Sequence, residues 1–166
     1  YYFQFTLNDY ETERFEPAIP PLEKRIALFQ TLSVMLGRSR VVWRFDPLLI
    51  TRSTPPERLL EKILSVGREL HKYTERLVIS FADIAIYSRV ARALKKTSTA
   101  AREFAASEMR AFAAELIAKT RQWGLDVRAC AEKTDLSAQN VLPNKCIDDE
   151  LLAKLYPQDA ELMRFL

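Results

Sequence analysis

The sequence predicts an α/β fold of parallel (β/α) repeats, a partial TIM-like barrel holding about four strands of a larger one. Three observations carry that expectation. Short apolar strands alternate with longer helical stretches in the order β-α-β-α-β-α-α-β, which implies right-handed crossovers and parallel pairing. Polar side chains recur on one face of every strand, whereas a parallel sheet covered by helices on both sides reads apolar throughout. Four strands in 166 residues fall short of a closed barrel, which takes about 250 residues.

The elements follow from local pattern. Residues 2–7 form a strand with Phe3, Phe5 and Leu7 on one side of the period-two alternation and Gln4 and Thr6 on the other. Asn8-Asp9-Tyr10 turns it into a polar loop through Pro17. A helix over residues 21–36 is introduced by Pro20-Pro21, striped by Leu22, Ile26, Phe29 and Leu32, and stopped by Gly37. The second strand, residues 40–50, sets Val41, Trp43 and Phe45 against Val42, Arg44 and Asp46. Pro47 is expected to stop it, since proline cannot donate to a ladder. Thr54-Pro55-Pro56-Glu57 has the form of a capping box. The helix it starts runs to His71, with Leu59, Leu60, Ile63, Leu64 and Leu70 inward. In the third strand, residues 75–83, Leu77, Ile79 and Phe81 alternate with Val78, Ser80 and Ala82. A short basic helix over residues 87–96 precedes the longest helix, residues 102–123, which turns Ala105, Met109, Phe112, Leu116, Ile117 and Trp123 inward and ends at Gly124. The fourth strand is residues 125–132. A loop containing Pro143 leads to a last helix, residues 148–156, ended by Pro157.

Composition bounds the function. A hydrophobic content of 48%, a charged content of 28% and a net charge of +3 describe one domain with a sizeable core. The sequence holds neither a run of about 18 apolar residues nor a signal-peptide pattern, so no membrane partner is expected and a cytoplasmic location is the default. Residues 1–143 are assigned to the partial barrel and residues 144–166 to the start of a C-terminal extension. A full strand at Tyr1 to Leu7 and apolar Leu162, Met163, Phe165 and Leu166 at the other end suggest an internal segment, whose partners include flanking segments of the same polypeptide.

The polar strand face supplies the candidate site: Gln4 and Thr6, then Arg44 and Asp46, then Ser80, then Arg128, Cys130 and Glu132. In a barrel this face is the interior, and its C-terminal rim carries the chemistry. Arg44 has the planar fork that grips a carboxylate or phosphate, so a small anionic ligand is the expected partner. Arg44 and Asp46 read as structural ion-pair members, or Asp46 reads with Glu132 as an acid/base or metal-binding carboxylate pair. Cys130 and Cys146 are too few for a disulfide framework and lack CxxC spacing; they read as thiols or metal ligands, Cys130 equally as a small buried hydrophobe. His71, the one histidine, suits a helix C-terminus. That leaves no histidine for a zinc site or a Ser-His-Asp triad. Arg89, Arg92, Lys95, Lys96 and Arg102 form an acid-free basic stretch, but the small net charge and absence of interleaved aromatics favour a solvated helical face over nucleic-acid binding.

Particular strings carry a resemblance: Tyr1-Tyr2-Phe3-Gln4-Phe5-Thr6-Leu7, Pro20-Pro21-Leu22-Glu23-Lys24-Arg25-Ile26, Val42-Trp43-Arg44-Phe45-Asp46-Pro47, Ile79-Ser80-Phe81, Cys130-Ala131-Glu132, Asp135-Leu136-Ser137 and Lys145-Cys146-Ile147-Asp148. In order and spacing they resemble the bacterial domain-of-unknown-function family eighteen-forty-eight. Residues 84–102 match poorly. Family members similar to this chain begin upstream with further barrel units and continue into a cysteine-rich tail. The CxxxCxxC run of that tail is similar to the iron-sulfur motif of radical S-adenosylmethionine enzymes. The resemblance therefore implies a barrel with an iron-sulfur cluster and S-adenosylmethionine in the full-length protein. It points to Gln4, Arg44, Asp46, Ser80, Cys130, Glu132, Cys146 and Asp148. With Thr6 added from the polar strand face, Asp46 and Glu132 are the expected catalytic residues, Gln4, Thr6, Arg44, Ser80 and Asp148 the substrate-binding set, and Cys130 and Cys146 the metal candidates. The alternative is a non-catalytic binding module for an anionic ligand or nucleic acid, and a third reading is a scaffold fragment of a larger assembly.

Overall fold

The computed structural model describes residues 1–16, 18–84 and 100–166. Five strands, β1 (Phe3–Thr6), β2 (Val41–Leu48), β4 (Arg76–Phe81), β6 (Asp126–Cys130) and β7 (Leu142–Asn144), lie in the spatial order β1-β2-β4-β6-β7. Every neighbouring pair is parallel. Two short strands, β3 (Ile50–Thr51) and β5 (Ala101–Arg102), pair antiparallel beside it. The α/β class and the parallel pairing are as the sequence predicts; the five-stranded sheet is open, and no barrel closes among the described residues.

Because the strand order is monotonic, right-handed crossovers place their helices on one side. Helices α1 (Leu22–Leu36), α2 (Pro56–Leu70) and α3 (Ala106–Thr120) cover the face that carries Val41, Trp43, Phe45, Leu77, Ile79, Val127 and Ala129. These residues form one core with Phe29, Leu59, Ile63, Phe112 and Leu116 from the helices. Trp43 is fully buried, and its indole N–H donates to the Leu7 carbonyl at 3.0 Å, which satisfies the polar end of an otherwise apolar side chain. The opposite face carries Val42, Val78 and Cys130, against which Leu151 packs from α4 (Asp149–Leu155). A last helix, α5 (Ala160–Phe165), follows. Among the described residues no helix is long and apolar enough to cross a membrane.

Several local expectations are corrected. Pro47 does not end β2, which continues to Leu48 through a register shift between Phe45 and Leu48; the irregularity tolerates a residue without an N–H. The Pro143 loop is in part the edge strand β7, where a proline likewise costs little. Thr54 does not cap α2. Its hydroxyl turns back to the Leu49 carbonyl at 2.8 Å and to the Thr51 hydroxyl at 2.7 Å, and Pro55 takes the cap position. The long helix starts at Ala106 because Ala101 and Arg102 pair with Thr51 and Ile50, which leaves Ala105 exposed. It ends at Thr120, before a 3-10 turn at Arg121–Trp123 and a left-handed Gly124. Phe3, expected to face the helices, is exposed. The short basic helix expected at residues 87–96 lies outside the described residues.

Candidate functional site

The strand alternation that buries Trp43 and Phe45 under the helices aims Arg44, Asp46, Ser80 and Cys130 at the other face. At the C-terminal ends of β2, β4 and β6 this face opens into a cavity of about 500 Å³, lined by those four side chains together with Pro47, Ala82, Asp83 and Lys133. Ala131, directly after β6, has φ 55. A left-handed backbone costs a non-glycine residue about 1 kcal/mol or more and turns the chain sharply at the rim.

A chain of hydrogen bonds runs across the strands. Arg44 Nη1 donates to Gln4 Oε1 at 2.7 Å, and Arg44 Nη2 pairs with Asp46 Oδ2. Ser80 Oγ donates to the other Asp46 oxygen, so the carboxylate is held from both sides. Gln4 Nε2 donates to the Cys146 carbonyl at 2.7 Å, and the Tyr2 hydroxyl donates to the same oxygen at 3.4 Å. Arg44 Nε is buried without a hydrogen-bond partner among the described residues. Burial opposes the charge on Arg44, but the Asp46 carboxylate outweighs it and raises the guanidinium pKa. At Cys130 burial pushes the thiol up, with Arg44 acting in the opposite direction. The Cys130 and Cys146 sulfurs lie 3.9 Å apart.

The backbone at Asp46 is held by a residue that reads as a turn former in sequence. Asn8, 1% exposed, accepts from the Asp46 N–H at 2.8 Å and donates to the Asp46 carbonyl at 3.0 Å, so its amide continues the ladder where β1 has ended. Its Nδ2 also donates to Glu16 at 2.8 Å, and its own carbonyl accepts from Arg25 Nη1 at 2.8 Å. The Tyr10 hydroxyl donates to the Pro47 carbonyl at 2.7 Å and accepts from the Leu49 N–H at 3.2 Å. The one sequence signal for this frame is Arg25, a charged residue inside the stripe of Leu22, Ile26 and Phe29 on α1.

Gln4, Arg44, Asp46, Ser80, Cys130 and Cys146 are thus brought together, and the other candidates are not. Thr6 pairs with Arg44 in the ladder but is exposed on the edge strand. Glu132 accepts from the Thr134 N–H at 2.9 Å and lines a separate cavity of about 290 Å³. Its place in the 128-130-132 alternation suggests the Cys130 face, but the turn at Ala131 ends the alternation. Asp148 is buried under the sheet, where it pairs with Arg76, lies 3.9 Å from Arg128 and caps α4 by accepting from the Leu151 N–H at 2.8 Å. Burial alone would raise its pKa; the Leu151 N–H and the two guanidiniums outweigh that and lower it. Asp83 and Lys133, which line the cavity, follow the strand ends and carry no periodic signal. His71 stacks on Trp123 with ring centroids 5.3 Å apart, and its Nδ1 lies 3.0 Å from the Gly67 carbonyl, in keeping with a helix-end role.

The family model described as "Domain of unknown function (DUF1848)" matches residues 1–164. The chain belongs to the DUF1848 family. Comparison with curated proteins and with solved structures returns no match. For this DUF1848 chain, the iron-sulfur chemistry implied by the resemblance can be checked against the thiols. Two sulfurs 3.9 Å apart correspond to one edge of a tetrahedral thiolate site, about 3.8 Å for metal–sulfur bonds of about 2.3 Å. Among the described residues no group of three or more His, Cys, Asp or Glu gathers, so these two corners are not completed. The described residues of this DUF1848 chain do not fit a whole cluster.

Proposed function

We propose that the cavity at the ends of β2, β4 and β6 is the substrate site of an enzyme built on one arc of a TIM-like barrel, and that Arg44 receives a small anionic group there. The observation that carries this reading is the state of Arg44: its guanidinium is fixed by Gln4 and Asp46, it borders a cavity of about 500 Å³, and its buried Nε has no hydrogen-bond partner among the described residues. A pre-positioned fork loses little entropy on binding a carboxylate or phosphate. Asp46 orients the Ser80 hydroxyl by accepting its proton, which frees the Ser80 lone pairs for a ligand donor. Asp46 is then the group placed to exchange a proton through Ser80. An iron-sulfur cluster and S-adenosylmethionine would draw on ligands beyond the described residues, and the binding chemistry of the cavity does not depend on them.

A second reading, a non-catalytic binding module for an anionic ligand, is favoured by one feature: both Asp46 oxygens are already occupied. Thermal unfolding of the chain against a panel of small carboxylates and phosphates tests what the two readings share. At least one compound is expected to stabilise the wild type, and Arg44→Ala is expected to remove that stabilisation. Equal stabilisation of both proteins, or none across the panel, would overturn the assignment. Turnover of the stabilising compound, lost in Asp46→Asn, separates the enzyme from the binding module.

A further inference from the structure

Cys130 is the last residue of β6 and is buried; Cys146 lies on the segment between β7 and α4 and is exposed. Their meeting is built into the sheet. In the parallel ladder Cys130 is in register with Asn144, so Cys146 follows two residues beyond its cross-strand neighbour. The Cys146 backbone is held there by Gln4 and Tyr2 through its carbonyl. The sulfurs, 3.9 Å apart, need to approach by about 1.9 Å to reach a disulfide bond of about 2.05 Å.

We propose that Cys130 and Cys146 are a redox-active dithiol that closes to a disulfide between the end of β6 and the segment leading into α4. Low-molecular-weight disulfides are the oxidant class, and the inference is independent of the ligand reading above. Access assigns the roles. The exposed Cys146 thiolate attacks one sulfur of the small disulfide; a mixed disulfide forms and a small thiolate leaves, taking up a proton from water. Cys130, having given up its own proton, then attacks the Cys146 sulfur. The protein disulfide forms and the second small thiolate leaves. Two electrons pass from the protein thiols to the small disulfide, which is reduced to two thiols. Burial holds the Cys130 thiol above its ordinary value, and Arg44 beside it opposes that rise. The product would tie the segment before α4 to the cavity wall and remove the free thiol next to Arg44.

Peptide mapping tests this directly. The chain is equilibrated in mixtures of reduced and oxidised glutathione, quenched with acid, alkylated and digested with trypsin. Cleavage after Arg128, Lys133, Lys145 and Lys154 isolates peptides 129–133 and 146–154, one cysteine in each. In oxidising mixtures the expected product is these two peptides joined, two hydrogens lighter than their sum, with both free thiols lost together and restored by dithiothreitol. Cys130→Ser is expected to trap glutathione on Cys146. Recovery of glutathionylated Cys146 as the wild-type end product, or alkylation of both cysteines in every mixture, would overturn the proposal.

Discussion

Asp148 performs two separable jobs, and substitution can split them. Its carboxylate pairs with Arg76, whose side chain is 12% exposed, and it caps α4 through the Leu151 N–H. Asp148→Asn keeps a competent cap but removes the charge. Asp126, which already accepts from both Arg76 and Arg128 at 2.9 Å, is then the carboxylate left to both guanidiniums. Losing a hydrogen bond to a buried charged group costs about 2 kcal/mol. Asp148→Ala also loses the cap, about 1 kcal/mol more. A total of about 3 kcal/mol corresponds to a fall in Tm of roughly 6–12 °C for a chain of this size. Because the folded-state pKa of Asp148 is lowered, its contribution is fully present above the unfolded value of about 3.9 and is lost as pH falls through the folded value. Urea unfolding of the wild type and both variants, from neutral pH into acid, reads the whole pattern. The gap between wild type and Asp148→Asn is expected to narrow in acid while the gap between the two variants persists. An Asn variant as stable as wild type at neutral pH, or a gap that ignores pH, would refute the reasoning.

Gly67→Ala places a Cβ 2.3 and 2.5 Å from two Trp123 ring atoms. Displacing the ring costs about 1–3 kcal/mol, against a helix-propensity gain of about 1 kcal/mol. A net loss of about 1 kcal/mol with a red-shifted tryptophan emission is expected, and unchanged emission would deny the contact. Lys62 is 2% exposed and pairs with Glu13, 4% exposed, at 3.1 Å. Lys62→Met leaves that carboxylate buried and unpaired, a loss of about 3–5 kcal/mol. Adding Glu13→Gln should recover most of it in urea unfolding; no recovery would show that packing, not charge, is responsible. The Glu108 carboxyl is pushed down to about 2 by Arg102 and by the Ala105 N–H. In an NMR titration Arg102→Ala should return it toward the ordinary carboxylate range, and an unmoved midpoint would remove the pairing.

What the sequence discloses about the site follows from where alternation holds. Arg44, Asp46, Ser80 and Gln4 sit on strand positions that a doubly covered parallel sheet would fill with apolar residues, and that mismatch marks them. Glu132 falls two residues past the end of β6, where the chain has turned at Ala131 and the alternation no longer holds. Asn8 is invisible because a turn-forming amide and a ladder-extending amide are the same residue type. Thr54-Pro55-Pro56-Glu57 has the capping-box pattern, yet local contacts back to Leu49 and Thr51 claim the hydroxyl. β7 is three residues long and contains Pro143, too short and too irregular for a periodic signal. The meeting of Cys130 with Cys146 depends on the register of that strand, so it could not be read before the strand was placed.

The monotonic strand order also explains why the cavity lies where it does. An open α/β sheet usually gains its ligand crevice at a switch point, where strand order reverses and helices change sides. This sheet has no reversal, so α1, α2 and α3 leave the second face bare, and the chain must cover it by other means. It does so unevenly. Toward the strand N-termini, Leu151 packs on Val42 and Val78, and Arg76, Arg128, Asp126 and Asp148 pair among themselves. Even the cavity of about 400 Å³ there is bordered by matched charges, with Glu75 serving Arg38 and Lys154. Toward the C-termini the polar row continues past the Cys130–Cys146 contact and lines the cavity of about 500 Å³. The same alternation therefore yields a closed ion network at one end and, at the other, a fixed guanidinium whose Nε has no partner among the described residues. On the proposed reading, stability and binding are divided along the length of the strands, and the Cys130–Cys146 contact lies on the boundary between them.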